Sequence, residues 1–174
     1  LFVKKYKARI PGVILRENII NIIEKSKLVR NNFIIRKSYS GNTKTISLDP
    51  KVARDEYIKS IKDSDYYLCP KGDGNFSVRF FECLSLGRIP IIINTDIDLP
   101  FSDIIDYKDF IIKIEMDDVS VIDKIISNHY IRINNTDFIN IQKKCRNVFD
   151  QYLNIHVFFM NVLKNEFLDK VPKA

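Results

Sequence analysis

The stretch Cys69-Pro70-Lys71-Gly72-Asp73-Gly74-Asn75-Phe76-Ser77-Val78-Arg79-Phe80-Phe81-Glu82 holds the residue types best suited to chemistry. The chain has five glycines, and two of them, Gly72 and Gly74, stand here one residue apart. A glycine loop between a strand and a helix lets backbone N–H groups approach an anion. Asn75 lies in the same loop. The helix that follows begins near Ser77, and its N-terminal dipole and free N–H groups suit a phosphate. Ser77 either caps that helix or turns its hydroxyl to the phosphate. Arg79 falls in the first turn, where a cation opposes the dipole unless an anion also sits there. The plainer alternative is a capped turn carrying a surface arginine.

Glu82 lies within Phe80-Phe81-Glu82-Cys83-Leu84, an otherwise apolar helix segment. A carboxylate there is costly unless it is paired or hydrogen-bonded. It stands too far into the helix for a capping box with Ser77, which needs its acid at position 80. An i,i+3 ion pair with Arg79 is one explanation, worth ~0.2–0.5 kcal/mol if exposed. The other is that Glu82 accepts hydrogen bonds from the hydroxyls of a nucleotide ribose, a part acidic residues play in dinucleotide folds. The spacing is neither G-x-G-x-x-G nor a Walker loop, so common NAD and ATP sites are disfavoured.

The elements that must position these residues alternate between helix and strand. Leu1–Tyr6 reads as a short strand and Ile14–Lys27 as a helix, with Leu15, Ile19, Ile22 and Ile23 recurring at helical steps. Phe33-Ile34-Ile35 is a strand candidate, residues 38–50 a polar loop and Val52–Lys62 a helix. Tyr66–Cys69 reads as a strand stopped by Pro70, and Arg79–Leu86 as a helix ending at Gly87. Ile89–Ile93 is wholly apolar, as in a strand buried on both faces. Phe110–Ile114 is a further strand and Asp118–Ser127 a helix. Phe138–Leu153 is a helix with Phe138, Ile141, Cys145, Val148, Phe149 and Tyr152 on one stripe, and after a break near Asn154 another helix runs to Leu168. This predicts an α/β domain with a Rossmann-like, mainly parallel sheet flanked by helices. Ligands in such sheets bind beyond the carboxyl ends of the strands, here in the loops after Tyr6, Cys69 and Ile93.

The 174 residues suffice for one ordinary domain, 1–174, with a core that needs no staples. Hydrophobic residues at 45% and charged residues at 29% exclude a disordered chain. No apolar run reaches ~18 residues, so no segment reads as a membrane span. Net charge is +6, yet residues 1–54 carry 13 basic and 3 acidic residues while the rest carry 15 and 19. A basic first third suits an anionic partner such as a nucleotide, a nucleic acid or a phosphorylated substrate. Cys69, Cys83 and Cys145 form no C-x-x-C pair, which disfavours a disulfide framework or a zinc site. His129 and His156 lack metal-ligand neighbours. Asp96, Asp98, Asp103, Asp106, Asp117 and Asp118 match turns and helix starts better than a metal site, although Asp98, before Leu99-Pro100-Phe101, could face a bound ligand. The sequon at Asn75 would put a glycan on the key loop. That favours a reducing, cytoplasmic-type compartment, with Golgi or ER open if an N-terminal anchor was removed. The start at Leu1-Phe2-Val3, without Met, reads as a fragment of a longer protein.

Four motifs in order resemble the exostosin-type glycosyltransferases, glycosyltransferase family 47. They are Tyr67-Leu68-Cys69-Pro70; Ser77-Val78-Arg79-Phe80-Phe81-Glu82-Cys83-Leu84; Gly87-Arg88-Ile89-Pro90-Ile91; and Leu99-Pro100-Phe101-Ser102-Asp103-Ile104-Ile105-Asp106-Tyr107. Upstream, Leu1-Phe2-Val3-Lys4-Lys5 and then Leu15-Arg16 resemble the family's first strand and its basic residue on the next helix. Arg88 replaces the family's usual Cys, and Cys83 stands where Ala is common. The resemblance implies one half of a GT-B architecture: the donor-binding domain, with the acceptor domain and its catalytic base absent from this chain. It implies a nucleotide-sugar donor, UDP-linked by preference, and a glycan acceptor, with no obligatory metal and no nucleic acid. It also implies a donor site of Arg16, Gly72, Gly74, Asn75, Ser77, Arg79 and Glu82. The rival is a non-enzymatic module whose basic face binds nucleic acid or phosphorylated partners, although aromatic and basic residues are not interleaved as such surfaces require.

Overall fold

The structure is a computed structural model and describes residues 10–36 and 49–164. Ile89-Pro90-Ile91-Ile92-Ile93 is apolar toward both faces, so it can lie only where both faces are covered. It forms most of β2 (Ile89–Asn94), the middle strand of a three-stranded sheet, and all five of these residues are buried. β1 (Tyr66–Leu68) and β3 (Ile112–Glu115) pair with it in parallel, with Tyr66 opposite Ile89 and Ile91 opposite Ile112. β3 buries Ile112 and Ile114 and exposes Lys113 and Glu115, the alternation of a strand with one wet face.

Helices flank this sheet. α1 (Gly12–Lys25) buries Leu15, Ile19 and Ile23 at three- and four-residue steps. α2 (Pro50–Lys62) starts with Pro at N1, and Asp49 caps it by accepting from the Lys51 and Val52 amides at 2.8 and 3.2 Å. α3 (Val78–Ser85) buries Phe80, Cys83 and Leu84. It stops at Gly87, whose φ of +62° suits glycine, while the Gly87 and Arg88 amides return to the carbonyls of Leu84 and Cys83 at 3.0 Å. α4 (Ile122–Arg132), α5 (Asn135–Val148) and α6 (Ile155–Leu163) follow, with a π-helical turn, Phe149–Leu153, between the last two. Asn154 caps α6. α3 and α5 pack together and on β2, and α1 packs on α4.

The parallel α/β class predicted above is the one observed. Most element ends shift by one to three residues, and three differences are larger or change an element. Phe33-Ile34-Ile35 joins no strand among the described residues; Ile34 and Ile35 are exposed, and Arg36 instead ties the segment to α2 through Glu56 at 2.8 Å. The third strand starts at Ile112 rather than Phe110, because the Phe110 and Ile111 amides close a 3-10 turn onto the Tyr107 carbonyl at 3.2 and 3.1 Å. The helix expected from Asp118 begins at Ile122, since Met116–Val121 forms a 3-10 turn, and it continues to Arg132. There His129 is anchored by its Nδ1 against the Tyr66 hydroxyl at 2.9 Å. The strand expected at Leu1–Tyr6, most of the 38–50 loop and the end of the last helix lie outside the described residues.

Candidate functional site

The carboxyl end of β1 leads into the glycine loop and that of β2 into Thr95 and Asp96. The loop closes on itself where the Gly72 amide donates to the Phe76 carbonyl at 3.1 Å. Asn75 fastens it to the neighbouring loop. Its Nδ2 donates to the Thr95 and Asp96 carbonyls at 2.9 and 3.3 Å, and its Oδ1 accepts from Thr95 Oγ1 at 2.5 Å. Thr95 is fully buried, and Asp96 sits at φ 59°, a strained conformation for a residue other than glycine.

α1 meets the same loop from the other side. A Cβ added to Gly12 would stand 2.4 Å from the Gly72 carbonyl oxygen and 2.5 Å from that of Lys71. Gly12 therefore admits the closest approach of two backbones, a use peculiar to glycine. Arg16 follows one turn later on the same side of α1.

An open cleft of about 340 Å³ results, lined by Arg16, Gly72, Ser77, Arg79 and Glu82 together with Tyr57, Phe76 and Val78. Ser77 occupies the N-cap position of α3 and is buried, but its side chain makes no capping bond. No acidic residue stands in the first turn of α3, so nothing there neutralises its positive end. No ion pair joins Arg79 to Glu82 among the described residues. Glu82 instead accepts, through Oε2, a hydrogen bond from the Tyr57 hydroxyl. Burial and then this bond raise the Tyr57 pKa, while the positive charge of Arg79 opposes the rise. The cleft opens on a groove of about 1540 Å³ between α1, α2 and β1, which shares Arg16, Tyr57 and Arg79 with it. The smaller space is the candidate site, because the glycine loop, the α3 N-terminus, two guanidinium groups and a carboxylate meet there.

Of the residues singled out by sequence, Arg16, Gly72, Ser77, Arg79 and Glu82 are thus brought together. Gly74 is exposed and does not line the cleft, and the amide of Asn75 is spent between the two loops. Asp98 is exposed and also lies off the cleft. Tyr57 and Gly12 lie outside the stretch that the sequence singles out. Tyr57 sits in an ordinary amphipathic helix, and no local signal marks it. Among the described residues no group of three or more His, Cys, Asp or Glu could hold a metal, and no helix is long and apolar enough to cross a membrane.

The family model of the exostosin GT47 domain matches residues 15–129. An exostosin-1 homolog of Caenorhabditis elegans is 33% identical over 111 residues, covering 63% of this chain and 28% of its own length. A probable glucuronosyltransferase of Oryza sativa subsp. japonica is 36% identical over 72 residues, 41% of this chain and 17% of its own. A probable beta-1,4-xylosyltransferase of Arabidopsis thaliana is 35% identical over 72 residues, with the same coverage of 41% and 17%. The matched segments therefore cover 28% or less of these relatives' own lengths.

Proposed function

This chain belongs to the exostosin GT47 family, and on that premise we propose that it is the donor-binding domain of a glycosyltransferase, one half of a GT-B enzyme whose acceptor domain lies elsewhere. The donor is a nucleoside diphosphate sugar, with UDP the first choice. Arg16, Ser77, Arg79 and the N-terminus of α3 take the diphosphate, and Glu82 takes the ribose. The observation that carries this reading is the convergence of Arg16 from α1 and Ser77, Arg79 and Glu82 around α3 on one cleft beside the glycine loop. In the reaction an acceptor hydroxyl attacks the anomeric carbon of the sugar and gives up its proton to a base that the acceptor domain would supply. The bond from that carbon to the diphosphate breaks, and the negative charge left on the diphosphate oxygen is met by the two guanidinium groups and the helix end. Fixed positive charge of this kind does the work without an obligatory metal. Transfer also needs the acceptor held in register, so the isolated 174 residues should turn over little or no donor.

A thermal-shift panel of nucleoside diphosphates tests the reading. At 100 times its dissociation constant, a ligand of the native state adds ~2.7 kcal/mol, and the melting temperature should rise with UDP or a related diphosphate. A flat response in a folded sample removes the donor site.

Glu82→Gln supplies a sharper check. Gln keeps the shape and an acceptor for Tyr57, but loses the charge that strengthens bonds from hydroxyls. Nucleotide affinity should fall by about 1–3 kcal/mol while the fold persists. Equal dissociation constants for the two proteins would take Glu82 out of the site.

A further inference from the structure

We propose that Tyr57 is the positioning residue that aims the Glu82 carboxylate, so that nucleotide recognition depends on a helix outside the glycine loop and α3. The inference rests on the reading of Glu82 as the ribose ligand and extends it to α2. Tyr57 and Glu82 line the same cleft from different helices. The Tyr57 hydroxyl donates to Oε2, and no hydrogen bond engages Oε1 among the described residues. A carboxylate has two oxygens and about four acceptor sites. Committing one oxygen to a fixed donor sets the plane of the group and leaves the other to receive a ligand hydroxyl.

Tyr57 is itself held. Its ring meets Tyr67 of β1 edge-on, with centroids 6.4 Å apart and planes at 83°. Arg88 Nη2 donates to the Lys62 carbonyl at 2.6 Å, which ties the last residue of α2 to the start of β2. The tyrosine hydroxyl is thus carried by a helix braced at the sheet, and it reaches a carboxylate on a helix that rides on the same sheet. The raised Tyr57 pKa keeps the proton on the phenol, so the group stays a donor across the physiological range. A flexible glutamate without this contact would spend its rotamers in water; with it, the ordering is complete before the ligand arrives.

The test compares three probes, UDP, 2′,3′-dideoxy-UDP and inorganic pyrophosphate, on the wild-type chain and on Tyr57→Phe, which removes one hydroxyl and leaves the ring. Wild type should bind UDP at least about 5-fold more tightly than the dideoxy compound, a modest fraction of what a charge-assisted hydrogen bond supplies. In Tyr57→Phe that ratio should fall below about 2-fold, with pyrophosphate affinity unchanged. A purely structural tyrosine would weaken all three probes together and preserve the ratio. The double variant Tyr57→Phe/Glu82→Gln should bind UDP no worse than Glu82→Gln alone, because both changes break one unit. If wild type prefers UDP and Tyr57→Phe prefers it equally, the positioning role is overturned and the ribose reading stands. If wild type itself makes no distinction, the ribose reading falls and takes this inference with it.

Discussion

Gly12→Ala is expected to lose about 3 kcal/mol of stability, the upper end of what overpacking costs, and most of its affinity for nucleotides. The added methyl would stand 2.4, 2.5 and 2.9 Å from atoms of the Lys71 and Gly72 backbone. Those atoms belong to main chain, so no side chain can swing aside. Either α1 backs away, carrying Arg16 off the cleft, or the glycine loop shifts and pulls on the Asn75 bonds to Thr95. Against a total stability of ~5–15 kcal/mol the loss is large but survivable. Gly74→Ala is the matched control: nothing lies within 4 Å of its added carbon. Urea unfolding of both variants measures the contrast. A Gly12→Ala protein with wild-type midpoint and wild-type UDP affinity would show that α1 does not meet the loop as described.

Phe80→Ala should cost about 3–5 kcal/mol, the range for emptying a buried aromatic site. Phe80 is 1% exposed, with Phe81 and Tyr107 rings at 5.7 and 5.9 Å. It seats α3 in the core, so its loss loosens the helix that presents Ser77, Arg79 and Glu82. Val78→Ala, two residues earlier and 67% exposed, should stay within ~0.5 kcal/mol of wild type. Phe80→Leu refills much of the space and should recover most of the stability. Chemical denaturation of the three proteins reads the series directly. An Ala variant as stable as the Val78 one would mean that α3 is not seated through Phe80.

Much of this molecule is legible along the chain, for reasons particular to each segment. Ile89–Ile93 fits a strand buried on both faces, and Gly87 suits the end of a helix, and the structure has both there. The stripe from Phe138 to Tyr152 survives even where the backbone loosens from α to π geometry, because burial of Cys145 and Val148 constrains the face and not the hydrogen-bond ladder. The cleft was half visible: a glycine loop, a helix start and a misplaced carboxylate are local signals. Its other half was not, because Tyr57 reaches Glu82 across tertiary distance, and a sequence records no partner for a hydroxyl. Asn75 shows a further use that the sequence does not record. Its loop position suggests a ligand contact, yet the fold spends that amide on Thr95 and Asp96. Arg88, which departs from the family's usual cysteine, also has a use that no local pattern announces: it closes the end of α2 at the Lys62 carbonyl.

All three thiols of the chain are buried, Cys69 where β1 enters the loop, Cys83 on α3 and Cys145 on α5, and Cys83 lies within electrostatic reach of both others. Burial pushes the Cys145 thiol up to about 12 and raises Cys83 well above its ordinary value. Neither offers an appreciable thiolate to a reagent while the native packing lasts, and thiolate is the reacting species. Each cysteine therefore labels only when the packing around it opens. The chain thus carries its own set of chemical clocks: with a fast reagent in excess, the labelling rates at the three sites, resolved by peptide mass, report how far the openings around β1, α3 and α5 are coupled, without any engineered probe. The clock at Cys69 runs beside the glycine loop, so a ligand held there would slow it first and leave the one on α5 closest to its free rate.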